Sequence, residues 1–266
     1  MPTKDPTRSL AGAAVLVTGG SGGNGSAVAR RLVAEGARVF LCGRDPVRTA
    51  DIAASVGCPW WTGDLRERGA AQEAIDQGSR ALGGRLDMLV AAAGSRGMTT
   101  DVASPVPEEC GKIMADNVTT LGNTLTAALP VLSASPSSVF LGLSSLAGLT
   151  GYHRFPYYTA AKAATIGLLR AAVPGALRQG VSVRVLCLWF TDTPLIADVL
   201  PELQREGIPV QTADEVAASV SECLVAPGDA TVWTSVPGGP ATPYRFRRVA
   251  TPPLRPDSAV ARPPRD

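Results

Sequence analysis

The sequence predicts an α/β fold: a doubly wound three-layer sandwich around a central, mostly parallel sheet of about seven strands. Three observations carry this. Short apolar runs alternate with longer Ala/Leu/Arg-rich stretches of helical spacing, as expected for parallel strands covered on both faces. A cluster of glycines sits where the first strand gives way to the first helix. The length, 266 residues with 45% hydrophobic and 18% charged, suits one α/β domain with a real core and is a tight fit for two.

In chain order, Ala13–Val17 (AAVLV) reads as a buried strand and Gly23–Glu35 has helical spacing. Arg38–Cys42 is the second strand, Asp51–Val56 lies in a helical stretch, and Cys58–Trp61 is a short third strand. Leu86–Ala92 is the fourth, followed by a long helix around Glu108–Leu132. Ser138–Leu143 is the fifth, followed by a helix from about Tyr157 to Gln179, which Pro174-Gly175 should kink or end. Val181–Leu188 is the sixth strand, Asp214–Val225 a helix, and Thr231–Val236 the seventh strand. Right-handed crossovers then give the doubly wound order. Residues 1–239 are expected to form a single catalytic domain. Within it, Thr193–Thr212 reads as a flap over a site. Residues 240–266, rich in proline and arginine without apolar period, read as an extended or disordered tail.

The scarce residues narrow the chemistry. His153 is the only histidine, so sites built on two histidines are excluded and no metal is expected. The five cysteines (Cys42, Cys58, Cys110, Cys187, Cys223) form no CxxC pair and read as reduced thiols. The N-terminal MPTKDPTRSL has no apolar segment, and no stretch approaches the ~20 apolar residues needed to cross a bilayer. A cytoplasmic protein with no membrane partner is the expectation. The net charge of +2 divides unevenly: six arginines and two acids follow Pro240, leaving a net of −2 for the rest. Overall basicity therefore gives no argument for nucleic acid as a partner.

The glycine cluster is TGGSGGNG, Thr18–Gly25. Glycines after a strand allow a tight turn and bring backbone N–H groups close to a pyrophosphate, with a helix N-terminus aimed at the negative charge. Further on, Tyr158 and Lys162 lie four apart on one helix, so they share a face. An ammonium beside a phenol favours the phenolate and should lower its pKa. Lysine is rare here, three against 22 arginines, which gives weight to the one at Tyr+4. Ser145, at the end of the preceding strand, is placed to hydrogen-bond a substrate carbonyl, and strand alternation should point its neighbour Ser144 the other way.

These residues resemble the short-chain dehydrogenase/reductases. The match rests on the TGxxxGxG loop with Gly19, Gly23 and Gly25, and on Ser145, Tyr158 and Lys162 at the family's spacing, with Asn117 in the following-helix position. The resemblance implies a Rossmann-type dinucleotide fold over roughly residues 10–240. It further implies Tyr158 as general acid/base, Ser145 orienting the reacting oxygen, Lys162 on the tyrosine and the nicotinamide ribose, and Asn117 organising a water-linked proton path. Thr18, Ser21 and Asn24 belong to the cofactor loop; Asn24 stands where the family usually has an aliphatic residue and would need a polar partner if buried. Asp64 and Leu65 resemble the adenine contacts, with a helix N-cap as the competing role of Asp64. Thr193 resembles the residue that meets the nicotinamide amide. Where the family has Asn-Asn-Ala-Gly this chain has Ala91-Ala92-Ala93-Gly94, and the Pro-Gly after the sixth strand is missing.

After the second strand, Gly43 takes the place of the acidic residue of an NAD-type site and Arg44 follows, which suits a 2′-phosphate and favours NADP(H) over NAD(H). His153, Phe155, Trp189 and Phe190 should border the substrate. The leading expectation is an NADPH-dependent oxidoreductase reducing a ketone or related C=O/C=N group of a small molecule. The alternatives are a redox-neutral cyclase, dehydratase or epimerase using the same tyrosine, and a non-catalytic nucleotide-sensing or partner-binding protein. Relatives of this kind often pair their long helices, so a homodimer or homotetramer is expected.

Overall fold

The computed structural model describes residues 8–98 and 107–247. Its sheet runs in the order β3-β2-β1-β4-β5-β6-β7-β8. The strands are β1 (Ala14–Thr18), β2 (Arg38–Gly43), β3 (Trp60–Thr62), β4 (Met88–Ala91), β5 (Val139–Ser145), β6 (Ser182–Leu188), β7 (Val232–Ser235) and β8 (Thr242–Pro243). The first seven pair in parallel and β8 pairs antiparallel to β7. The strand order turns back between β1 and β4, which opens a crevice at their C-terminal ends.

The helices are α1 (Gly23–Ala34), α2 (Pro46–Val56), α3 (Arg68–Ala81), α4 (Pro107–Met114), α5 (Thr120–Leu132), α6 (Ala147–Thr150), α7 (Pro156–Leu177), α8 (Leu200–Arg205) and α9 (Ala213–Val225). Strand alternation decides which helices cover which face. Leu16 and Phe40 turn to the face of α3, α5 and α7, where they pack with Ile75, Leu125 and Leu169. Val15, Val17 and Leu141 turn to the other, against Val28 and Leu32 of α1 and Val216 and Val220 of α9. Between α4 and α5 the chain makes a π turn, Ala115–Thr119.

Three local features differ from the sequence expectation. The chain past residue 240 adds an eighth strand. Pro243 is accommodated because that strand is at the edge, where a missing N–H costs no ladder bond. Beyond it, Phe246 lies under the guanidinium of Arg170 on α7, 3.8 Å from the ring centroid, so the chain folds back over that helix. The remainder of the tail, from residue 248, lies outside the described residues. Pro174 does not end α7, which continues to Leu177. The long helix after β4 is broken by the π turn.

One buried charge is wholly structural. Arg184 on β6 is 0% exposed, and its guanidinium donates to the carbonyls of Cys223, Ala226 and Gly228, tying the end of α9 to the sheet. Among the described residues no helix is long and apolar enough to cross a membrane.

Gly142 on β5 faces Leu169 so closely that a Cβ would come within 2.5 Å of its Cδ1. Leu169→Ala should cost about 2–5 kcal/mol in urea unfolding through the cavity left, and Gly142→Ala should destabilise by overpacking. Together they should cost less than the sum of the two, because the new methyl occupies the vacated space.

Candidate active site

The elements converge at the C-terminal edge of the sheet, where two adjoining cavities share Ala92 and Gly94 as lining. The smaller, about 260 Å³, is bordered by Gly19, Ser21, Gly43, Arg44, Arg48, Asp64, Leu65, Ala93 and Asp116. The larger, about 690 Å³, is bordered by Asn24, Asn117, Ser145, Tyr158, Lys162 and Thr193, and by the four residues expected at the substrate, His153, Phe155, Trp189 and Phe190.

The glycine loop is held by close approach. Gly19 has φ +67° and sits so near β4 that a Cβ would lie 2.6 Å from the Ala93 nitrogen. A Cβ on Gly25 would lie 2.2 Å from the Gly19 carbonyl oxygen, and one on Gly23 would meet the Thr193 methyl at 2.6 Å. Larger residues do not fit this turn. Thr193 Oγ1 donates to the Thr191 carbonyl at 3.2 Å. Two polar atoms beside the loop, Thr18 Oγ1 and Asn24 Oδ1, are buried without partners, so Asn24 lacks the partner that burial asks for. The glycine cradle and the adjoining cavity fit a dinucleotide, with the α1 N-terminus facing its phosphates.

In the smaller cavity, Asp64 does not cap α3, whose N-cap is Glu67. Its Oδ1 instead accepts from the Arg66 backbone at 3.0 Å, and the Arg66 guanidinium grips the carboxylate and holds its pKa below the ordinary value. Asp116 is nearly buried between Ser95, whose Oγ donates to it at 2.7 Å, and the guanidinium groups of Arg44 and Arg66, each at 3.4 Å. Arg48 completes the basic border, on α2, which Asp45 caps by accepting from the Arg48 N–H at 3.0 Å. Sequence reasoning found Arg44 and missed Arg48, Arg66 and Asp116. The repeat of arginine across the capped turn GRDPVR was a signal for Arg48; nothing local marked the others.

Adjacent residues of the π turn border the two cavities. Asp116 borders the smaller and Asn117 the larger. Asn117 Nδ2 donates to the carbonyls of Ser95 (2.8 Å) and Ile113 (2.9 Å), while its Oδ1 is buried without a partner. A Cβ on Gly94 would lie 2.6 Å from that Oδ1 and 3.4 Å from Lys162 Nζ, so glycine leaves room for both.

Ser144 and Ser145 diverge as alternation requires. Ser144 Oγ is buried under α7, donating to the Lys162 carbonyl at 3.1 Å, whereas Ser145 turns to the larger cavity that Tyr158 also lines, its Oγ accepting from the Ala147 N–H at 3.1 Å. Lys162 is 8% exposed, its Nζ 5.5 Å from the Tyr158 ring centroid and donating to the Leu143 carbonyl at 3.3 Å. Burial governs both groups and runs opposite to the expected lowering of the phenol. Tyr158 is pushed up to about 12 by burial, against the Ser145 hydrogen bond and the Arg96 charge. Lys162 is pushed down to about 8 by burial, against the nearby Cys187.

The segment expected as a flap contains a short turn at Pro194–Ile196 and α8, tied down by the ion pairs Arg96–Asp198 and Arg154–Glu202. Phe155, Ile196, Val199 and Leu203 form a small core under it. Trp189 Nε1 donates to the Pro209 carbonyl at 2.7 Å, and Phe190 packs edge-on against Trp189 and Tyr152. Arg96, Asp198 and Tyr152 were not singled out from sequence. Among the described residues no three His, Cys, Asp or Glu side chains gather as a metal would need.

A family model described as short chain dehydrogenase matches residues 13–204. A 3-dehydrosphinganine reductase of Arabidopsis thaliana is 32% identical over 190 residues, 68% of this chain and 55% of that protein. The matched region thus spans about half the length of that relative. A rhamnolipid-biosynthesis 3-oxoacyl-[acyl-carrier-protein] reductase of Pseudomonas aeruginosa is 33% identical over 190 residues, 68% of this chain and 73% of that protein. Among solved structures, a short-chain type dehydrogenase/reductase from Mycobacterium ulcerans superposes with TM-score 0.80 at 23% identity, covering 87% of this chain and 90% of that one. A 3-ketoacyl-(acyl-carrier-protein) reductase from Brucella melitensis complexed with NADH gives 0.79 at 22% identity, covering 87% and 99%.

The depressed Lys162 sets the sign of a pH effect. Between about 8 and 10.5 the unfolded chain holds a proton on Lys162 that the folded one has released, so this group's contribution to stability rises with pH across that window. Above 10 the raised Tyr158 reverses the trend, because the folded state then holds the extra proton. The buried thiols Cys42, Cys58, Cys187 and Cys223, all raised by burial, pull total stability down over the same range, so the test is a difference: the urea-unfolding stability of the intact protein minus that of Lys162→Met should grow by about 2 kcal/mol from pH 8 to 10.

Proposed function

The chain belongs to the short chain dehydrogenase family, and from that premise we propose that it is an NADPH-dependent reductase of a ketone on a small, largely apolar molecule. The observation that carries the reading is the grouping of Ser145, Tyr158 and Lys162 at the wall of one cavity large enough for such a substrate, with Lys162 Nζ 5.5 Å from the phenol ring centroid. The names of the relatives in which reductases recur support the direction of the reaction.

The nicotinamide cofactor supplies the hydride that reduces the carbonyl carbon. Gly19, Gly23 and Gly25 would hold its phosphates, and Asp64, Leu65, Ala93 and Gly94 its adenosine half. Arg44 and Arg48 would take the 2′-phosphate, and Thr193 and Lys162 would contact the nicotinamide riboside. Ser145 Oγ and Tyr158 Oη would both hydrogen-bond the substrate carbonyl oxygen. Tyr158 then transfers its proton to that oxygen as negative charge develops there. A phenol raised by burial keeps its proton at neutral pH, which suits it to donate in the reducing direction. The returning proton would reach Tyr158 by way of Lys162 and a water held by the free Oδ1 of Asn117, which accepts that water's O–H; both groups border the space at Gly94.

Purified protein assayed with NADPH and a panel of apolar ketones should consume one cofactor per product. Tyr158→Phe should lower kcat by about 10²–10⁴-fold with NADPH affinity unchanged; undiminished turnover would sink the mechanism. A product formed without NADPH consumption would instead assign redox-neutral chemistry.

The cofactor preference has its own test. Removing both guanidinium groups in Arg44→Ser/Arg48→Ser should raise the KM for NADPH by about tenfold or more and leave that for NADH little changed.

A further inference from the structure

Arg96, just past the end of β4, is placed for a purpose that the reaction chemistry does not use. It is 8% exposed, and three of its surfaces are committed: Nε donates to the Leu195 carbonyl at 2.9 Å, Nη2 donates to Asp198, and the guanidinium carbon lies 4.1 Å from the Phe155 ring centroid. Its Nη1 is buried and has no hydrogen-bond partner, and the residue lines the larger cavity beside Tyr158. A guanidinium cannot shed its proton to escape this, so its unmade donors cost about 1–3 kcal/mol until an acceptor arrives.

The charge around it favours an anion. Asp198, its ion-pair partner among the described residues, has a side chain 56% exposed and is well screened by water. Glu202 is committed to Arg154, and Lys162 adds a second buried cation to the same cavity wall. Glu206 is the other carboxylate of the lining, and the apolar part of the wall is made by Leu146, Tyr152, Phe190, Ile196, Val199 and Ile208.

We propose that Arg96 Nη1 binds a carboxylate oxygen of the substrate, so that the site takes a keto acid: a ketone at Tyr158 and a carboxylate at Arg96 on an otherwise apolar skeleton. This deepens the reductase reading and rests on it for the ketone. Only one nitrogen of the fork is unengaged, so the contact is end-on, through a single oxygen.

Calorimetry with octanoate, and with octanol as its uncharged counterpart, tests the anion site without turnover. The intact protein should bind octanoate about tenfold more tightly than octanol. Arg96→Met should remove that preference, and Arg96→Lys, which keeps the charge, should restore part of it. Asp198 lies at the surface, so Arg96→Met strands no buried carboxylate, and Arg96→Lys serves if the methionine variant does not fold. In turnover, oxocarboxylates with the ketone at successive distances from the acid are compared with their own methyl esters. Arg96→Met should lower kcat/KM for the acids about ten- to a hundredfold and change that for the esters little, with NADPH affinity unmoved. Equal binding of octanoate and octanol by the intact protein, or octanoate binding that survives in Arg96→Met, would overturn the proposal. Charge-selective binding without reduction of any ketone would instead overturn the reductase reading and leave the anion site standing.

Discussion

At the divergence of β1 and β4, the chain passes so close to itself that only glycine is admitted. The Gly19 Cα lies against the Ala92–Ala93 backbone, and Gly25 lies against Gly19. This contact fixes where the loop ends, where α1 begins, and how the two cavities meet at Ala92 and Gly94. It is made by backbone, so it survives the loss of the two amide side chains that the family usually carries in the Asn-Asn-Ala-Gly motif. The Ala91-Ala92 replacement therefore leaves the turn intact and removes polarity only.

That polarity reappears one step further along the chain. Ser95 bonds Asp116 through its hydroxyl and Asn117 through its carbonyl, and Arg96 reaches the segment around α8. A single dipeptide after β4 thus touches the walls of both cavities and the segment before α8. Within the π turn the consecutive residues Asp116 and Asn117 border different cavities.

The frame was legible in the sequence because it is set by local, repeated signals. Strand runs are apolar on both faces, and Tyr158 and Lys162 declare their common face by a spacing of four. The residues that were not legible depend on contacts between distant segments. Arg96 and Asp198 are separated by 102 positions, and neither has a local pattern that pairs it. The π turn has no compositional mark, and Thr242–Pro243 reads as tail because a two-residue edge strand is too short to show alternation. The direction of the Tyr158 shift was missed for a different reason. Spacing shows that an ammonium is near, but not how much water the pair loses, and here burial outweighs the neighbouring charge.

Buried polar atoms without a hydrogen-bond partner occur in the core, as at Ser138, Gln211 and Ser221, as well as at the cavities. Arg184, in the sheet interior and away from both cavities, has its guanidinium shared among three carbonyls. Thr18 Oγ1, Asn24 Oδ1, Asn117 Oδ1 and Arg96 Nη1 are all buried without partners, and all lie along the glycine loop or the two cavities. Each unmade bond opposes folding by about 1–3 kcal/mol, an unfavourable arrangement for a core and a favourable one for a site that gains those bonds when its ligands arrive. The same logic separates the two arginines. Arg184 spends both terminal nitrogens on backbone carbonyls, whereas the Nη1 of Arg96 makes no hydrogen bond within the protein.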